Sequence, residues 1–257
     1  MNILCIGDVC GNIGCAHLAK VLPNIKKQHH IDFIIANGEN SADGNGILPH
    51  SASLLFEAGV DVVTGGNHTF RRREIFDLLD ENSRLLRPSN MPASAPGKGY
   101  EIYDCGRCFV GVINLLGTTY LENLDCPFRT ADKILSYFQE KNIKIILVDF
   151  HAEATSEKRA LAMYLDGKIS ALFGTHTHVQ TADEQILPNG SGYITDPGMT
   201  GPFQSVLGVK SDIVISKFIN KLPVRFELAD GECALCGAVF SIDEKTGMCT
   251  DVKRIKY

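Results

Sequence analysis

At 257 residues with a formal net charge of −5, the chain is mildly acidic and long enough to bury a substantial core, in one large domain or two small ones. That charge is unsuited to neutralising a nucleic-acid backbone, which excludes tight duplex binding, and no apolar run approaches the roughly 20 residues that span a bilayer. Nine cysteines, an odd number with no charged and apolar leader at the start of the chain, point to free thiols, and a cytoplasmic location is expected.

The first strand is predicted over 2–7 and ends at Asp8. A helix follows, because Leu18, Val21, Leu22 and Ile25 form an i, i+3, i+4, i+7 stripe, and Pro23 is expected to kink it. A second strand over 31–36 leads into Asn37-Gly38-Glu39-Asn40 and a small-residue loop at 41–46. After a short helix over 51–58, the run 60–63 exits at Gly65-Gly66-Asn67-His68, and Ile75, Leu78 and Leu79 mark another helix. Residues 90–99 read as an irregular loop, and 100–103 with 109–113 as a hairpin.

Thr130 is a fair N-cap for a helix carrying Ile134, Leu135 and Phe138. A strand over 143–150 exits at His151, and the next helix is capped by Thr155 or Ser156, buries Leu161, Tyr164 and Leu165, and stops at Gly167. The apolar run 169–173 then breaks at Gly174-Thr175-His176-Thr177-His178. A short strand over 192–195, a loop over 196–208 and a hairpin-like tail from 223 complete the chain. Alternating strands and helices imply a layered α/β architecture, and one domain over 1–257 is expected. Cys105/Cys108 and Cys233/Cys236 have zinc-site spacing, but one pair falls on a hairpin turn and the other inside an apolar run, where buried thiols are the expectation.

Ligands of α/β sheets bind beyond the carboxyl ends of the strands. Those ends carry Asp8, Glu39 with Asn40, Asn67 with His68, His151, and His176 with His178. Singly, Asp8 reads as a helix cap, Asn40 and Asn67 as turn formers, and His151 as a rim residue. Together, so many carboxylates, amides and imidazoles on one edge make physical sense around two cations, since uncompensated buried like charges repel.

Gly7-Asp8, Gly38-Glu39-Asn40, Gly66-Asn67-His68, His151 and Gly174-Thr175-His176-Thr177-His178 resemble, in order, the motifs of the calcineurin-like metallophosphoesterases, and most closely the bacterial YmdB-type branch. The loops 37–47, 127–129 and 195–202 extend the likeness nearly end to end. Cys10 stands where the wider superfamily has a histidine, a departure which that branch shares, and it is read as a small apolar residue.

The resemblance implies a layered β-sandwich flanked by helices, with the metal site at the C-terminal ends of the strands. It places Asp8, Asn40 and His178 on one ion, Asn67, His151 and His176 on the other, Glu39 bridging them, and His68 as proton donor. The implied cofactors are two divalent or trivalent ions, iron or manganese, although spacing does not separate these from zinc. The implied reaction is hydrolysis of a small-molecule phosphodiester, 2′,3′-cyclic nucleotides in particular, by water activated between the ions. Self-association is also implied. A phosphomonoesterase or other two-metal hydrolase is the alternative, as is a regulatory scaffold with residual activity. Phe70, Phe128 and Phe203 are candidates to stack on a base, and Arg129 reads as a solvated charge.

Overall fold

A computed structural model describes residues 1–257. In chain order the elements are β1 (Asn2–Ile6), β2 (Asp8–Val9), α1 (Gly11–Gln28), β3 (Phe33–Asn37), α2 (Pro49–Glu57), β4 (Val62–Thr64), a 3₁₀ turn (Arg73–Ile75), α3 (Phe76–Glu81) and β5 (Leu85–Leu86). The chain continues through β6 (Tyr100–Asp104), β7 (Phe109–Leu116), α4 (Pro127–Glu140), β8 (Ile145–His151), α5 (Thr155–Leu165) and β9 (Ala171–Thr175). It ends with β10 (Gln185–Ile186), β11 (Gly192–Ile194), β12 (Met199–Pro202), α6 (Ser211–Asn220), β13 (Cys233–Ile242) and β14 (Cys249–Lys256).

The strands form two sheets. The larger has the order β2-β12-β13-β1-β3-β4-β5, with β14 paired to β13, and the smaller has the order β10-β11-β9-β8-β7-β6. Within each, the strands that lead to the predicted ligand loops run parallel: β1, β3 and β4 in one, β8 and β9 in the other. Alternation along each strand sends one set of side chains to the helices and the other to the space between the sheets. In β1, Leu4 and Ile6 pack with Leu18, Leu22 and Ile25 of α1, whereas Ile3 and Cys5 join Val110, Leu147 and Phe173 between the sheets. In β7 and β8, Ile113, Leu115 and Phe150 face Phe138 of α4 and Leu161 of α5. The result is a four-layer α/β/β/α sandwich.

Phe240, fully buried between the sheets, tests this layering far from the ligand loops. Phe240→Ala is expected to lower unfolding free energy by about 3–5 kcal/mol. A urea unfolding midpoint indistinguishable from the wild type would contradict a close-packed inter-sheet core.

Local departures from the sequence reading have identifiable causes. The α4 helix starts at Pro127, and the Thr130 N–H already bonds the Cys126 carbonyl, so Thr130 lies inside the first turn rather than capping it. The α1 helix runs through Pro23 without a break. Tyr164 is exposed and bonds Asp132, while Lys158 takes a buried place on α5. The loop 196–208 contains β12, which pairs with both β13 and β2. Helix α6 has no counterpart in the sequence reading and leaves Ile215, Phe218 and Ile219 exposed. All nine cysteines are free, and Cys105 N–H bonds the Cys108 carbonyl across the β6–β7 turn.

Candidate metal centre

The ligand loops of both sheets end at a common rim, so the site straddles the top of the sandwich rather than one sheet edge. As β3, β4, β8 and β9 approach it, their inward positions change from apolar to polar, and Asn37, Thr64, Asp149 and Thr175 are all buried there. Asp149 accepts from Asn37 Nδ2 (3.0 Å), Thr64 Oγ1 (2.5 Å) and Thr175 Oγ1 (2.7 Å). Thr175 Oγ1 lies 2.9 Å from His151 Nδ1, so a chain of hydrogen bonds fixes the ring and turns Nε2 to the rim. Burial pushes the Asp149 carboxyl up to about 6, against the hydrogen bonds it accepts.

The predicted ligands converge. His151 Nε2 lies 3.0 Å from Asn67 Oδ1, 3.1 Å from His176 Nδ1 and 3.2 Å from Glu39 Oε1. Glu39, His151 and His176 bring one ligand atom each within 4.8 Å of one another. Asp8 is fully buried; its Oδ2 accepts the His176 N–H (3.0 Å), while its Oδ1 has no hydrogen-bond partner and lies 3.5 Å from His178 Nε2. Asn40 Nδ2 lies 3.2 Å from both Glu39 Oε1 and His178 Nε2. Asp8 does not cap α1, whose N-cap is Cys10. Cys10 Sγ is buried 3.6 Å from His178 Nδ1, on the side of that ring opposite Asp8.

Glycine lets these groups meet, because a Cβ at Gly66 would overlap Glu39 Oε2 and the His151 ring. His68 places its backbone N–H on Glu39 Oε2 (2.9 Å) and its Nδ1 on Asn40 Oδ1 (2.8 Å), and its Nε2 has no partner in the chain.

This donor set fits metal ions. One imidazole nitrogen cannot satisfy three surrounding polar atoms with a single hydrogen, and a buried carboxylate oxygen has nothing bound to it. A cation answers both, and imidazole with carboxylate and amide oxygen is a donor set for transition metals. For Asn40 to ligate through Oδ1, its amide must make the half-turn that exchanges Oδ1 with Nδ2.

Protons occupy part of the role a cation would take. Burial disfavours a charged ring at His151, but Glu39 and Asp8 outweigh it and raise the pKa. At His178 burial is likewise overcome, by Cys10 and Asp8. Asp8 is in turn held well below the ordinary carboxylate range by His178 and His151, against its burial. His176, by contrast, is depressed to about 4 by burial and by His151, so its ring is uncharged at neutral pH. A metal bound through His151 and His178 would displace protons from them, and its apparent affinity would rise with pH above the ordinary histidine value of 6.5. Calorimetric titration of metal-free protein with Co²⁺ in buffers of different ionisation enthalpy is expected to show this proton release. A binding heat independent of the buffer would exclude it.

The curated relatives of this chain are named phosphodiesterase and phosphatase, which places it among the hydrolases that act on phosphoesters. Within that class the chain belongs to the YmdB-like family, whose model matches residues 4–255. It is 46% identical over 255 residues to the 2′,3′-cyclic-nucleotide 2′-phosphodiesterase of Bacillus subtilis, covering 99% of this chain and 96% of that one. The solved structure of a novel phosphatase from Mycoplasma pneumoniae superposes with a TM-score of 0.94 at 33% identity, over 100% of this chain and 93% of that one. A hypothetical protein from Thermus thermophilus gives 0.93 at 38% identity, over 100% and 99% of the two chains.

The structure places the residues named for the rim within reach of one another, above supports the sequence reading did not name: Asn37, Thr64, Asp149, Thr175, Lys158 and Asp196. Polar residues at inward positions of strands were the available signal. Of the candidate stacking rings, Phe70 packs edge-on to Phe76 and Phe128 to Tyr164, whereas Phe203 lines a cavity of about 490 Å³ together with His178, Met199, Leu207 and Lys256. No helix is long and apolar enough to cross a membrane.

Proposed function

We propose that the protein is a dinuclear-metal phosphodiesterase acting on small phosphodiesters, 2′,3′-cyclic nucleotides in particular. The observation that carries this reading is the convergence of Asn67, His176 and Glu39 on His151 Nε2, beside the unpartnered Asp8 Oδ1. Asp8, Asn40 and His178 would hold one ion and Asn67, His151 and His176 the other, with Glu39 in reach of both sets. The imidazole, carboxylate and amide donors suit iron or manganese. Bound ions supply Lewis-acid polarisation of the phosphoryl group and lower the pKa of water.

The chain does the rest. His68 presents Nε2 to the leaving oxygen and donates a proton there. Asn40 and Glu39 fix that ring from its Nδ1 and backbone sides. The cavity lined by Phe203 and Leu207 takes the base, with Lys256 Nζ 3.4 Å from the centre of the Phe203 ring. The 46% identity to a 2′,3′-cyclic-nucleotide 2′-phosphodiesterase over nearly the whole chain supports this substrate class.

Metal analysis of purified protein, combined with parallel assays on 2′,3′- and 3′,5′-cyclic nucleotides, an aryl phosphodiester and an aryl phosphomonoester, tests the reading. Two ions per chain and highest kcat/KM on 2′,3′-cyclic nucleotides are expected, with loss of turnover on chelation. Highest kcat/KM on the monoester would instead establish a phosphomonoesterase.

A further inference from the structure

Beneath the turn that carries His176 and His178, Lys158 and Asp196 form an ion pair with both side chains fully buried and Nζ–Oδ2 at 3.0 Å. Asp196 Oδ2 also accepts the Thr177 N–H (3.1 Å) and the Thr177 hydroxyl (2.7 Å), and Oδ1 accepts the Gly198 N–H (2.9 Å). One carboxylate therefore grips the residue between the two histidines by its backbone and its side chain. Lys158 reaches Asp196 past Gly174, where a Cβ would lie 2.6 Å from the lysine Cδ.

The turn needs such a grip. His176 and His178 have φ of 101° and 63°, the left-handed region that residues with a Cβ adopt only when their surroundings impose it. On the site side the turn is tied by a single backbone bond, His176 N–H to Asp8. Stability is a poor account of the pair, because apolar residues of similar volume commonly replace a buried ion pair at no loss. Its directional bonds on Thr177 are what an apolar substitute lacks.

We infer that Lys158 and Asp196 are positioning residues: through Thr177 they set the angles at which His176 and His178 present their ring nitrogens, and so set the affinity of the site for its ions. This rests on the metal reading above. Lys158 anchors the carboxylate, Asp196 holds Thr177, and neither touches substrate.

The probe is Co²⁺, titrated into metal-free full-length protein by calorimetry and by the visible absorbance that reports its ligand geometry. The double variant Lys158→Met/Asp196→Asn buries no unpaired charge. It is expected to bind Co²⁺ about 10–100-fold more weakly than wild type, with an altered spectrum. Thr177→Val, which removes only the hydroxyl bond, is expected to shift affinity and spectrum in the same direction by less. Leu165→Ala, a core deletion on the same helix, is expected to lower the thermal midpoint while leaving Co²⁺ affinity unchanged. Wild-type affinity and spectrum in both the double variant and Thr177→Val would overturn the inference. So would an equal loss of affinity in Leu165→Ala, which would make the effect one of general stability. A wild-type protein that binds no Co²⁺, Mn²⁺ or Fe²⁺ would instead overturn the metal reading itself, and this inference with it.

Discussion

Replacing Glu39 by alanine is expected to lower bound metal below two ions per chain and to reduce kcat/KM by at least about 10²–10³-fold, the range for loss of one preorganised charge-stabilising group. Glu39 is nearly inaccessible to solvent, and Oε1 lies within 3.3 Å of His151 Nε2, Asn40 Nδ2 and His68 Nδ1. It is thus the one carboxylate in reach of both proposed ligand groups and of the proposed acid. Its other oxygen accepts the His68 N–H, so alanine removes a charge and an anchor together. Glu39→Gln separates the two. It keeps the volume and an acceptor for His68 but removes the negative charge that the two proposed cations would need between them. Metal loss in both variants assigns the effect to the charge; metal loss in alanine alone assigns it to the anchor. Two ions per chain in Glu39→Ala would end the bridging role.

What the sequence made readable was the rim. Strand exits are marked by glycine and by abrupt polarity, so Asp8, Glu39, Asn40, Asn67, His68, His151, His176 and His178 could be named without coordinates. That they belong to two sheets was not readable from exits alone, because pairing of β1 with β13 or of β8 with β7 depends on contacts distant in sequence. On α5, helical periodicity alone would bury Tyr164, yet Lys158 lies inside because Asp196, 38 residues on, offers a buried charge that no local pattern reveals. The short strand β12 was hidden for a related reason. Met199-Thr200-Gly201-Pro202 has little strand propensity, and it is extended because β13 and β2 flank it.

His68→Ala is expected to retain its metal and lose about 10²–10⁴-fold in kcat, the usual worth of a general acid. His68 is the rim imidazole with a ring nitrogen left over. Asn67 beside it turns its Oδ1 to His151, whereas His68 spends Nδ1 on Asn40 and keeps Nε2 unpartnered. Its side chain is 28% exposed, so a substrate's leaving oxygen can reach it, while the Asp8 and His151 side chains are sealed. Burial lowers its pKa, with His151 and Arg71 pushing the same way and Glu39 and Asp8 opposing them. Asn40 adds a further control. With its amide turned to offer Oδ1 to an ion, Nδ2 would face His68 Nδ1 and donate to it, which places the hydrogen of the neutral ring on Nε2, where it donates a hydrogen bond to the leaving oxygen. The loss in His68→Ala should therefore be smallest for substrates whose leaving group needs no proton. Comparing an aryl phosphodiester bearing a nitrophenolate with a cyclic nucleotide reads this directly: a large defect on the nucleotide and a small one on the aryl ester identify His68 as the acid. Equal defects on both substrates would reassign it to binding, and unchanged kinetics would remove it from the mechanism.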